Sequence, residues 1–119
     1  MRGLKRRSQF LAANAGARAP STGFVLLVRP RGDGDETKAV GFTVSKKVGN
    51  AVVRNRMKRR LRALTRELLP EAGAVGADHV LIGRTGGIER DFAALRADLL
   101  KGLKTCARGG VPQRPRAPR

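Results

Sequence analysis

The chain has no Trp and no Tyr, and its aromatic content is four Phe in 119 residues. Its core must therefore be aliphatic, and a nucleic-acid site built on a row of stacking rings is excluded. One cysteine, Cys106, excludes an internal disulfide and a multi-cysteine metal cluster. One histidine, His79, and scattered carboxylates leave no constellation for protein-borne, metal-assisted phosphodiester hydrolysis. No apolar run approaches the ~20 residues of a membrane span, and the basic N-terminus is not followed by an apolar signal segment. The chain is expected to be cytoplasmic, with no membrane partner. Negative charge is also scarce: nine acids face 26 Lys or Arg, a formal charge of +17. With 40% hydrophobic residues this is a folded domain and not a disordered polycation. Its natural partner is a polyanion, nucleic acid before an acidic lipid surface.

The charge is unevenly placed. Residues 1–66 hold 17 basic and three acidic residues, residues 67–119 nine and six. Asp33, Asp35 and Glu36 share a Gly-punctuated loop that reads as a solvated turn. The densest cationic stretch, residues 45–66, contains no acid.

Residues 3–14 form a short basic helix, broken by the Gly/Ala/Pro/Ser stretch up to Thr22. GFVLLVR (23–29) and KAVGFTVS (38–45) are β-rich runs joined by turn residues, the pattern of an antiparallel hairpin or meander. A second helix runs from residue 50 or 51 to 69 and is stopped by Pro70 and the glycines at 73 and 76. HVLIGRT (79–85) is a third strand, and a last helix covers 89–107, with Phe92, Leu95, Leu99 and Leu103 on one face. The basic tail, 108–119, has no core and is expected to be disordered.

On a helical wheel Val53, Met57, Leu61, Leu64 and Leu68 make one apolar stripe on the second helix. Asn55, Arg59, Arg62 and Arg66 project from the opposite side, flanked by Arg54, Lys58, Arg56 and Arg60. Ordinary solvated faces mix signs; here Arg54, Lys58, Arg62 and Arg66 repel at every i,i+4 step. Such a face is built to meet phosphates, and its arginine forks suit phosphate oxygens better than a lipid surface. Asn50 is the expected N-cap after a tight turn at Gly49, where Lys46 and Lys47 add charge to a helix start able to hold a phosphate. No helix-turn-helix or zinc-finger spacing supports DNA as the partner. Phe10, beside Lys5, Arg6 and Arg7, is the candidate stacking ring; Phe24, Phe42 and Phe92 read first as core. His79 and Cys106 read as structural.

The run SKKVGNAVVRNRMKRRLR (45–62), with its Arg54-Asn55-Arg56 centre, resembles the signature of the bacterial ribonuclease P protein subunit. LKRR at 4–7 followed by Phe10, the strands GFVLLV and VGFTVSKK, and HVLIGR extend the resemblance over residues 4–104. It implies a single α+β domain over residues 1–107. Its fold would be an α/β sandwich with a small, mostly antiparallel sheet, three helices and a left-handed βαβ crossover, shared with a domain of a small-subunit ribosomal protein. It also implies a role as the small subunit of a ribonucleoprotein that removes the 5′ leader of precursor tRNA, with cleavage done by the catalytic RNA; the Mg²⁺ the complex requires would belong chiefly to the RNA and the RNA–protein complex. By the same resemblance Lys46, Lys47, Arg54, Asn55, Arg56, Lys58, Arg59 and Arg62 contact the catalytic RNA. A cleft between the first helix and the sheet face, with Phe10, Phe24, Lys5 and Arg6, takes the leader. The chain has Asn14 and Leu27 where many relatives carry further cleft aromatics, which implies leader binding resting more on charge than on stacking. A structural RNA-binding protein of ribosomal type, without a processing role, is the alternative reading, with a DNA-binding regulator third.

Overall fold

The computed structural model describes residues 2–110; the basic tail, beyond residue 110, lies outside them. Five strands, β1 (Arg2–Gly3), β2 (Ala17–Pro20), β3 (Phe24–Pro30), β4 (Ala39–Thr43) and β5 (Ala77–Gly83), and three α-helices, α1 (Arg7–Ala13), α2 (Ala51–Ala72) and α3 (Phe92–Ala107), follow in the order β1-α1-β2-β3-β4-α2-β5-α3. The sheet order is β1-β4-β5-β3-β2. β5 pairs antiparallel with β3 over seven residues and parallel with β4 over five. β1 adds to β4 in parallel and β2 to β3 antiparallel, so the sheet is mixed.

The hairpin expected between the first two strands does not form. β5 lies between β3 and β4, and α2 carries the chain across from β4 to its parallel neighbour β5. Strand periodicity reports which face a residue takes and is silent about which strand lies alongside. The first helix is also shorter than expected: residues 2–3 are a strand, and Arg6 is the N-cap, with the Gln9 side chain accepting from the Lys5 and Arg6 amides. α3 starts later, at Phe92, where Asp91 accepts from the Ala94 amide.

Alternation along β3 divides the core between the two faces. Phe24, Leu26 and Val28 join Val40, Leu81, Met57, Leu61, Leu64, Leu95 and Leu99 beneath α2 and α3. Val25 and Leu27 join Leu4, Ala13, Ala39 and Val80 beneath α1, with Phe10 at the margin. α2 runs past Pro70 to Ala72. Pro70 falls in the last turn, and Lys38 Nζ reaches the carbonyls of Leu69 (2.9 Å) and Pro70 (2.6 Å), serving the acceptors that a helix end leaves open.

His79 is fully buried on β5. Its Nε2 accepts from the Ala74 amide at 2.9 Å, so Nδ1 carries the proton and donates to the Ala39 carbonyl, also at 2.9 Å. The neutral ring thereby ties β4 to the turn after α2. Burial pushes its pKa below the usual 6.5, with Lys38 and Arg31 acting in the same direction. The unfolded chain then binds a proton that the folded chain resists. The contribution of His79 is complete above pH 6.5 and is lost progressively as pH falls below that value. Thermal unfolding should show a lower midpoint at pH 5 than at pH 7, a window above the carboxylate range; equal midpoints would contradict this role. Burial also raises the Cys106 thiol to about 11, so it is protonated and unreactive at neutral pH.

Candidate nucleic-acid interface

α2 supplies the main wall of the site. Met57, Leu61, Leu64, Thr65 and Leu69 are its buried residues, and the core they enter fixes how the helix is turned about its axis. Asn55, Arg56, Arg59, Arg62 and Arg66 are consequently exposed, while Arg54 and Lys58 are half-buried at the flanks. At the helix start Asn50 Oδ1 accepts from the Val53 amide at 3.0 Å. The preceding turn leaves Lys46 and Lys47 exposed, and a Cβ on Gly49 would come within 2.8 Å of the Val53 side chain.

The cations of α2 are not equivalent. Arg60 donates to the backbone carbonyls of Ile88 (3.0 Å) and Arg90, and so fastens the β5–α3 loop to α2. It is a structural residue on a cationic helix. Arg56 lies 3.8 Å from the exposed carboxylate of Glu89. Arg54 has a buried Nε with no hydrogen-bond partner among the described residues. Arg62 places its guanidinium 5.8 Å from the centre of the Phe42 ring.

Beside this helix a groove of about 380 Å³ is lined by Lys5, Phe10, Gly41, Phe42, Lys58, Arg62 and Arg66, among others. A second depression, about 430 Å³, continues it over Lys5, Arg7, Phe10, Leu11, Phe42 and Thr43. Phe10 is half-buried there. A Cβ on Gly41 would sit 2.7 Å from two of its ring carbons, so the missing side chain is what allows the ring to lie against β4. Neither depression has a carboxylate in its lining.

Lys5 and Phe10 thus lie together in the groove, and Arg6 is exposed at the start of α1 without lining it. Phe24 is elsewhere. It is fully buried on the sheet face opposite Phe10, among the α2 and α3 core residues, and cannot be a cleft residue; its alternation with Leu26 and Val28 carries it there. Leu27 is buried beneath α1, and Asn14 is exposed. Sequence reasoning missed Phe42 and Arg66 as groove residues, though the i,i+4 spacing of Arg62 and Arg66 places them on one side of α2. The structure also joins what the sequence separated, since Lys58 and Arg62 of the cationic helix form the groove's own wall.

No group of three or more His, Cys, Asp or Glu among the described residues could hold a metal ion. Asp33 and Asp35 are engaged by Arg31 and Arg2, and backbone hydrogen bonds hold both carboxyls below the usual range.

A mixed-sheet α+β domain whose long helix presents cations from Arg54 to Arg66 with no acid among them, beside a groove with two aromatic rings, has the construction of an RNA-binding protein. The sequence profile of the family described as Ribonuclease P matches residues 1–107. The ribonuclease P protein component of Erythrobacter litoralis is 54% identical over 115 residues, spanning 95% of this chain and 93% of that protein. That of Gluconacetobacter diazotrophicus is 51% identical over 102 residues, 85% and 87% of the respective chains. The solved RNase P protein of Thermotoga maritima superposes with a TM-score of 0.73 at 30% identity, covering 87% of this chain and 96% of its own. The Staphylococcus aureus RNase P protein, 24% identical with a TM-score of 0.72 and coverage of 87% and 94%, has the same fold. The chain belongs to the ribonuclease P protein family.

Proposed function

We propose that this protein binds the RNA of ribonuclease P through α2 and the turn before it, and the 5′ leader of precursor tRNA through the adjoining groove. The single observation that carries this reading is the continuity of the two surfaces: Lys58, Arg62 and Arg66 belong both to the cationic helix and to the groove that holds Phe10. RNA held on α2 would lie directly beside a strand held in the groove. Lys46, Lys47, Arg54, Asn55, Arg56 and Arg59 grip phosphates. Neutralising phosphates where RNA and substrate meet removes repulsion that divalent ions would otherwise have to screen. In this proposal the cleavage chemistry is the RNA's, and the Mg²⁺ that supports it would belong chiefly to the RNA and the RNA–protein complex; among the described residues no three His, Cys, Asp or Glu gather as metal ligands. No helix among the described residues is long and apolar enough to cross a membrane. The proposal has the protein at work in the cytoplasm, on RNA and not on DNA.

Reconstitution tests it. Added to its catalytic RNA at low Mg²⁺, the protein should restore cleavage of precursor tRNA and raise affinity for precursor over mature tRNA. Unchanged cleavage would leave a purely structural RNA binder; equal enhancement for both tRNAs would remove the leader from the groove.

A further inference from the structure

We propose that Phe42 and Arg62 form a second base-holding unit in the groove, taking one unpaired nucleotide beyond the one that meets Phe10. This rests on the groove being the leader site. Of the four Phe rings, Phe24 is fully buried, and Phe92 packs against the core with Arg96 at 5.5 Å from its centre. Phe10 and Phe42 remain, and both line the two connected depressions.

Phe42 owes its availability to the sheet edge. β1 pairs with β4 only as far as Gly3↔Val40, and the last bond is the Leu4 amide to the Val40 carbonyl at 2.8 Å. The chain then leaves toward α1. From Gly41 onward β4 is an uncovered edge, so the Phe42 ring touches the core on one side and the groove on the other. The groove side is capped by the Arg62 guanidinium. Lys58 and Arg66 stand one turn before and one turn after Arg62 on α2, ~6 Å away along the helix axis in each direction.

A ring held under a guanidinium, with ammonium and guanidinium groups on both flanks and no carboxylate nearby, fits a nucleotide better than an acidic peptide, which has no flat group for the ring. An incoming base takes the place of the guanidinium on Phe42. Arg62, an exposed side chain, turns from the ring to that nucleotide's phosphate, joined by Lys58 or Arg66. The resting cation–π contact thus keeps the platform covered and its own phosphate donor close by.

The test uses the reconstituted holoenzyme and compares affinity for precursor tRNA with affinity for tRNA lacking a leader. Phe42→Leu keeps an apolar side chain on the core and should reduce the leader-dependent preference by about five- to a hundred-fold, the range for loss of one stacked base. Phe10→Leu should reduce it comparably, and Phe42→Tyr, which restores a ring, should return the wild-type value. In the unaltered holoenzyme, 2-aminopurine walked along the leader should be quenched at two positions, one for each ring. Loss of preference in Phe10→Leu but not in Phe42→Leu, quenching at a single position, or competition by poly-glutamate equal to that of a leader oligonucleotide overturns the proposal while the leader reading stands. If the unaltered holoenzyme shows no preference for a leader at all, that reading fails and this one with it.

Discussion

Leu61→Ala is expected to lower stability by about 2–5 kcal/mol, the range for removing a large aliphatic side chain from a tight core. Leu61 is fully buried between the sheet and α3, in one cluster with Met57, Leu64, Leu81, Leu95 and Leu99. Small domains are stable by only about 5–15 kcal/mol, so the variant should unfold early in urea or partly unfold at physiological temperature. Arg59→Ala, two residues earlier on the same helix, should leave stability within about 0.5 kcal/mol because Arg59 is exposed. Its loss should appear in RNA affinity, flattening the log–log salt slope by about 0.7–0.9, the value of one phosphate contact. The pair tests the assignment of faces on α2 directly. An Arg59→Ala protein that unfolds, or a Leu61→Ala protein of unchanged stability, would show that the helix is turned differently.

Asp78→Ala should have an effect of similar size, about 3 kcal/mol, for a different reason: it strands a buried cation. Asp78 and Arg31 are both buried, and Asp78 Oδ1 accepts from Arg31 Nη1 at 2.8 Å. Arg31 also donates to the carbonyls of Asp35 and Thr37 and to Asp33 Oδ2, so one guanidinium fastens the whole β3–β4 loop to β5. Asp33 is half-exposed and compensates only in part. The damage should reach the groove, because Asp35 pairs with Arg2 at 3.5 Å, and Arg2 begins the short strand that leads to Lys5. Urea unfolding measures the first effect and leader affinity the second. A variant with normal stability would mean that Asp33 and the Asp35 and Thr37 carbonyls together satisfy Arg31.

The most legible part of this protein was α2. A stripe of Val, Met and Leu opposite an unbroken set of cations admits only one orientation, and the core confirms it at Met57, Leu61 and Leu64. Strands β3, β4 and β5 were visible as apolar runs, but their order was not, because nothing in FVLLV or AVGFT names a neighbour. β2, with Arg18 and Pro20 in four residues, and the two-residue β1 inside a basic run have no alternation to read. Among the site residues, exposed cations declared themselves through their number and single sign. The phenylalanines did not. Phe24 and Phe42 each occupy a strand beside a glycine, and their fates differ because β3 lies inside the sheet while β4 loses its cover after Val40. Whether a ring is core or platform was decided by where another segment stops.

The placement of β5 between β3 and β4 bears on how the molecule comes into being. During synthesis β3 and β4 emerge first and have no direct partnership with each other. All 22 residues of α2 must follow before the strand that unites them is made. The β2–β3 hairpin can form early, but the central contacts of the sheet, those of β5 with β3 and β4, are long-range ones that form late. Nearly all the cations needed for RNA are on the ribosome's exit side before the fold that orients them can close. A nascent or clipped chain ending ahead of residue 77 carries the charge without the shape.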